Sequence, residues 1–130
     1  MSAKPDIRSR DDILQIVKAF YNRLLTDPVM SPIFLEVAKI DLEEHLPVLV
    51  DFWDSILFFT ATYKGNAMEP HLRLHEENPL KKEHFRRWLA FFNLSVDEGF
   101  AGKKATLMKD RAKSIALLME VKVNNMKTHL

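Results

Sequence analysis

The chain reads as all-α, built from four main helices, and three observations carry that expectation. Only three glycines occur, Gly65, Gly99 and Gly102. No run alternates cleanly between apolar and polar residues, as a half-buried strand would. Instead, apolar side chains recur every three or four residues in long stretches separated by proline or glycine. Helices joined by short turns must bury their apolar stripes against one another, which gives a small helical sandwich or bundle. With 130 residues and a mass of 15.2 kDa the chain is expected to form one domain, 1–130, with a polar extension over 1–8 and a frayed end over 125–130. A chain of this size buries roughly two-thirds of the surface its unfolded form exposes, so one core suffices.

The first helix is predicted from Ser9 or Arg10 to Leu25. Ser9 and Asp11 or Asp12 supply the starting signals, and Asp27-Pro28 the stop. Its inward positions are Ile13, Leu14, Val17, Phe20, Tyr21 and Leu24. Pro28 and Pro32 limit the next stretch to short helical turns ending near Phe34 and Leu35. A longer helix spans Glu43 to Thr60, with His45, Leu49, Phe52, Trp53 and Ile56 on one face. Because proline is free of cost only in a first turn, Pro47 implies either that the regular helix begins near His45 or that it bends there. Between Thr62 and Pro79 the pattern weakens, leaving at most a short helix over Met68 to His75. Asn78 and Pro79 read as cap and first residue of a helix to about Glu98, with Phe85, Trp88, Leu89, Phe92 and Val96 inward. Gly99 and Gly102 make the next turn, and a last helix runs from Lys103 to about Asn124 on Ala105, Met108, Ala112, Ile115, Ala116 and Met119.

Composition removes several functions. Nineteen Lys and Arg against eighteen Asp and Glu leave a net charge of +1, too small for the broad basic field of a nucleic-acid binder. No cysteine is present, which excludes disulfides, thiolate metal sites, cysteine nucleophiles and covalent attachment through C-x-x-C-H. The first twelve residues are polar, with no secretory apolar region. The most apolar stretch, Leu46 to Phe59, is short and carries Asp51 and Asp54. A soluble, cytoplasmic protein without membrane or nucleic-acid partners is therefore expected. Nine Phe and two Trp make a wide, flat-sided interior that suits a planar guest and an ordinary core equally.

Four side chains stand out in these helical patterns: Tyr21, His45, His71 and Trp88. Each has an ordinary structural explanation taken singly, a core tyrosine satisfied by a carbonyl, an exposed helix-start histidine, a packing histidine and a core tryptophan. Their order and surroundings are more specific. The text "AFYNRLLTDPVMSPIF" (Ala19 to Phe34), "EEHLPVLVDFW" (Glu43 to Trp53), "YKGNAMEPHLRL" (Tyr63 to Leu74) and "HFRRWLAFF" (His84 to Phe92) resembles the truncated haemoglobin family, and within it group III. The resemblance runs from about Asp6 to Met126. Glycine pairs that shape turns in the first two groups are missing, as group III implies.

That resemblance implies a two-over-two helical sandwich around non-covalent haem b. His71 would be the proximal histidine, binding iron through Nε2 while Nδ1–H donates to a carbonyl one turn earlier. His75 is the rival ligand, one turn on. Tyr21, His45 and Trp88 match the distal positions. A phenol with an ordinary pKa of ~10 stays a neutral donor at pH 7. A donor aimed at dioxygen, which gains negative charge on binding, is worth about ten- to a hundredfold in ligand lifetime. His45 also has the alternative of gating the pocket toward solvent. Phe34, Leu49, Phe52, Trp53 and Phe92 would wall the macrocycle, and Lys64, Arg73, Lys81 and Lys82 are the basic residues on offer to its propionates.

The function so implied is reversible binding of O2, NO and CO, with redox chemistry on bound oxygen, such as nitric oxide dioxygenation or peroxide reduction, as a further step. No Gly-rich dinucleotide loop is present, so electrons would come from a separate reductase. Two other readings stay open. One is a haem-based ligand sensor or interaction protein. The other is a haem-free helical zinc protein, in which His71 and His75 at H-x3-H spacing take a third ligand from His84 or Glu83.

Overall fold

The computed structural model describes residues 4–33, 42–59 and 81–128. Among them are four helices and no strand: α1 (Arg10–Thr26), α2 (Leu42–Phe58), α3 (Lys82–Asp97) and α4 (Lys103–Thr128). Helix α1 starts where the sequence places it. Ser9 is extended and its Oγ accepts from Asp12 N at 3.3 Å, and Asp11 and Asp12 put negative charge in the first turn, where the helix dipole favours it. At the other end Asp27 turns the chain. Its Oδ2 accepts from Val29 N and Met30 N at 3.0 and 2.9 Å, so one carboxylate satisfies the donors of the next bend.

Two boundaries differ from the sequence expectation. Helix α2 begins at Leu42 and runs through Pro47, rather than starting near His45. Pro47 lacks only the N–H that would meet the Glu43 carbonyl, close to the helix start, so a single bond is forgone. Helix α3 begins at Lys82, not at Asn78-Pro79, which lie outside the described residues. A reciprocal cap explains it. Lys81 is extended, its N–H donates to His84 Nδ1 at 2.8 Å, and its carbonyl accepts from His84 N at 2.9 Å. His84 thus supplies the returning half of a capping box, with an imidazole in place of the usual carboxylate, while the Lys81 side chain, which has no acceptor, takes no part. Helix α4 runs through Thr128, four residues past the point where periodicity fades. Helix α2 ends as Phe59 enters the left-handed region at φ 56°.

The helices form a ring. Helix α1 packs on α2 and α3, and α4 packs on α3 and α2. The diagonal pairs do not approach through their backbones among the described residues. The hole in such a ring must be filled by long side chains, and it is filled by aromatics. Phe92 of α3 stacks on Trp53 of α2 with centroids 5.1 Å apart, and Phe20 of α1 meets Phe92 edge-on at 5.2 Å. The inward residues predicted for α1, α3 and α4 face this core, Leu14, Leu89 and Ile115 being only partly buried.

Helix α2 is rotated relative to the expected stripe. Val50, Trp53, Asp54 and Leu57 are its buried positions, while Leu49, Phe52 and Ile56 are partly buried beside them. Both faces of this helix are apolar, so its sequence period does not single out one. Asp54 is buried because Arg10 of α1 reaches across to it (Nη1 to Oδ2, 3.3 Å) and to Asp51 (2.7 Å).

The segment preceding α1, expected as a polar extension, straps the ends of α3 and α4. Asp6 accepts from Lys104 N (3.0 Å) and Ala105 N (2.9 Å), so its carboxylate serves as cap to α4 from a distance of 98 residues in the chain. Ala101 N donates to Pro5 O, Lys4 Nζ donates to the Asp97 carbonyl, and Ile7 is fully buried.

Candidate functional site

The site is built from the inner ends of α1, α2 and α3. Tyr21 sits on the face of α1 that continues Val17 and Leu24, so the period that builds the core also points its phenol inward. It is 5% exposed. Burial pushes the phenol pKa well above its ordinary value, and the group is a neutral hydroxyl throughout the physiological range.

His45 comes to Tyr21 from the first turn of α2. Its Nε2 lies 3.0 Å from Tyr21 Oη, and the two rings meet edge to face with centroids 5.7 Å apart. His45 is partly buried. Trp88 reaches the same region from α3. Its ring stacks on Phe92 (5.9 Å, 12° between planes) and takes the edge of Phe20 (5.5 Å, 90°), which fixes its plane from two sides.

Between these helices lies a cavity of about 40 Å³. That is more than the ~10–15 Å³ one water needs. Its wall includes Tyr21, Leu49, Phe52, Trp53, Trp88 and Phe92, all singled out from sequence. Val17, Phe20 and Ile115 also line it. These three were legible only as core, because nothing in a helical period separates a core wall from a cavity wall.

The residues expected on the proximal side belong to other parts of the chain. His71, Phe34, His75, Lys64 and Arg73 lie outside the described residues, so nothing is stated about their positions. Of the remaining basic residues, Lys81 and Lys82 are exposed at the start of α3. Among the described residues no cluster of three or more His, Asp or Glu could hold a metal ion. Nor is any helix among them long and apolar enough to cross a membrane.

A buried neutral phenol and an imidazole stand beside flat apolar walls. Such groups can offer hydrogen bonds to a small polar ligand, and among the described residues no carboxylate lines the cavity. Comparison with known proteins agrees. A comparison with curated proteins finds no match. Among solved structures, the group III truncated haemoglobin of Campylobacter jejuni superposes with a TM-score of 0.78 at 23% identity, over 93% of this chain and 95% of that one. The fold is thus a truncated-haemoglobin fold. The family model for bacterial-like globins matches residues 6–124. The chain therefore belongs to the bacterial-like globin family, and haem-based ligand binding is the general function that membership carries.

Proposed function

We propose that this chain is a group III truncated globin that holds haem b non-covalently, binds O2, NO and CO reversibly, and uses a polar distal site to retain oxygen for redox chemistry. One observation carries the reading: the Tyr21 hydroxyl, buried at the edge of an aromatic-walled cavity and 3.0 Å from His45 Nε2. The residues present suit the group. Phe52, Trp53 and Phe92 offer flat apolar surface, and the chain has no cysteine for covalent attachment. His71 is the proposed iron ligand, with Phe34 and Leu49 among the wall residues.

Haem, when bound, supplies the metal centre that holds a diatomic ligand and exchanges electrons. The protein supplies the surroundings. Tyr21 donates its proton toward the ligand, Trp88 walls the pocket and offers its indole N–H, and Phe20 and Phe92 hold that indole in place. Several donors around one ligand slow its release, so simple oxygen delivery suits this site less than turnover does. Nitric oxide dioxygenation consumes one O2, one NO and one electron for each nitrate formed, and the electron comes from a separate reductase.

Haemin titration of the wild type alongside His71→Ala and His75→Ala tests the reading. A Soret band with tight ferrous coordination is expected in the wild type and in His75→Ala, and its loss in His71→Ala. Loss in His75→Ala alone would transfer the ligand role to that residue, and a colourless wild type would end the haem proposal. Stoichiometric zinc without iron would favour the haem-free alternative. For the redox step, nitrate formation from NO in the presence of a reductant is expected; rapid oxygen exchange without turnover would leave a sensor or carrier.

A further inference from the structure

Helices α1 and α4 face each other across a diagonal of the ring, and among the described residues this pair does not approach through its backbones. Aromatic rings fill the centre, and the cavity of about 40 Å³ is space they leave, lined by Val17 of α1 and Ile115 of α4 among others. The rings beside it are not free to swing in. Phe92 stacks on both Trp53 and Trp88, at centroid distances of 5.1 and 5.9 Å, and Phe20 meets it edge-on at 5.2 Å. Flat rings braced on one another keep their places, so the hollow persists inside a packed core.

The chemistry of its wall selects a guest. Val17, Phe20 and Ile115 carry no polar side-chain atom, and Val17 and Phe20 lie inside α1, where backbone groups are bonded within the helix. A water needs about two to four polar partners, which this part of the wall does not supply. A small uncharged molecule loses little on leaving water and gains apolar contact. The volume exceeds the ~10–15 Å³ that one water needs, so a diatomic fits. Val17 also lies one turn, about 6 Å, before Tyr21 along α1, which sets such a guest beside the phenol.

We infer that the hollow lined by Val17 and Ile115 docks a second, uncharged gas molecule next to the ligand-binding site, and that the co-substrate of bound oxygen is therefore nitric oxide and not peroxide. The inference rests on the haem reading above and adds the identity of the second reactant to it. Peroxide reduction asks the pocket for one ligand, and peroxide carries two O–H donors that Val17 and Ile115 would leave unpaired. Dioxygenation needs two small molecules together. In it both oxygens of O2 become bonded to the nitrogen of NO, the O–O bond breaks, and one electron from a separate reductase gives nitrate its charge. NO has no proton to donate and no charge, so the apolar wall accepts it, and docking raises its local concentration beside the oxygen.

Xenon is the probe, applied to haem-loaded, carbon monoxide-bound protein with a verified Soret band. Methyl-group NMR under xenon pressure should show saturable shifts at Val17 and Ile115. Ile115→Phe fills the hollow from a position that is only partly buried, and it should weaken xenon binding by roughly tenfold, the penalty overpacking imposes on an occupied site. Val17→Leu adds one methylene and should act in the same direction by a smaller factor, which decides the matter if the first variant folds poorly. Nitrate formation at limiting NO should fall by roughly two- to tenfold in Ile115→Phe while peroxide consumption falls less, so the ratio of the two rates moves. Absent or unsaturable shifts in a wild type with a normal Soret band would overturn the inference and leave the haem reading intact. So would equal loss of both activities, the mark of general damage. Failure to develop a Soret band would remove the haem reading and this inference together.

Discussion

Among single residues, Tyr21 shows how one position serves two ends. Its ring belongs to the core stripe of α1 and its hydroxyl to the cavity. Tyr21→Phe keeps the ring and removes the donor, so oxygen release at neutral pH should speed up by about tenfold, which stopped-flow oxygen displacement would read. Stability should fall by about 0.5–1.5 kcal/mol in denaturant unfolding, the worth of the hydrogen bond to His45 that goes with the hydroxyl. Phe92 is the contrasting case. It touches Phe20, Trp53 and Trp88 and is 1% exposed. Phe92→Ala should cost about 3–5 kcal/mol in denaturant unfolding, because three rings lose a partner and the hole cannot collapse onto anything.

The elements are fixed at their ends by side chains from elsewhere. Gly102 occupies φ 143°, and a Cβ there would lie 2.6 Å from Asp6 Cγ. Gly102→Ala should therefore destabilise by about 1–3 kcal/mol through strained backbone, with a further loss as the Asp6 cap is pushed off α4. Burial opposes the Asp6 charge, yet the N–H groups of Lys104, Ala105 and Ile7 and the Lys104 ammonium outweigh it and hold the carboxyl below its ordinary value. In the window between the ordinary value of about 4 and the lowered one, the unfolded chain binds the proton first. The contribution of Asp6 is thus present above that window and lost as pH falls through it, and Asp6→Asn should flatten that part of a stability profile.

His84 has the same sign at a higher pH. Burial lowers its pKa, with Lys81 and Arg87 adding to the effect and Glu83 opposing it. Below the ordinary imidazole value of about 6.5 the unfolded chain takes up the proton more readily, so stability falls with pH there. Protonation also removes the Nδ1 acceptor that caps α3. His84→Ala should lose this pH dependence in thermal unfolding and cost about 0.5–2 kcal/mol at pH 7.5, as the loss of a cap does.

For the molecule taken together, the ring of four helices depends on its filling. Neighbouring helices meet through their backbones, but α2 and α3 meet through the Trp53–Phe92 stack. Polar ties brace the rim. Arg23 of α1 forks onto Glu98 and reaches Ser95 beside α3's end, while Arg87 of α3 joins Asp27 at the end of α1. Such partly exposed pairs are each worth no more than about 1 kcal/mol, so the aromatic centre outweighs them. A double-mutant cycle of Trp53→Leu and Phe92→Leu should give a coupling of about 0.5–1.5 kcal/mol, the worth of an aromatic pair beyond its buried area.

Local sequence was enough to specify the helical class, the inward stripes of α1, α3 and α4, and the aromatic side chains that line the cavity, because helical period and aromatic content are properties of short segments. Ser9 and Asp27 marked α1 for the same reason: both act on backbone a few residues away. Packing between distant segments determined the rest. The apolar period of α2 is ambiguous, and only contact with α1 and α4 selected Val50 and Leu57 as its buried positions. Asp6 looks like part of a polar leader until α4 is brought against it from 98 residues away. His45 and Tyr21 stand 24 residues apart, and no spacing rule brings an imidazole nitrogen within 3.0 Å of a phenol across two helices. That meeting is set by how α1 and α2 pack, since side-chain geometry between elements is a property of their docking and not of either sequence segment.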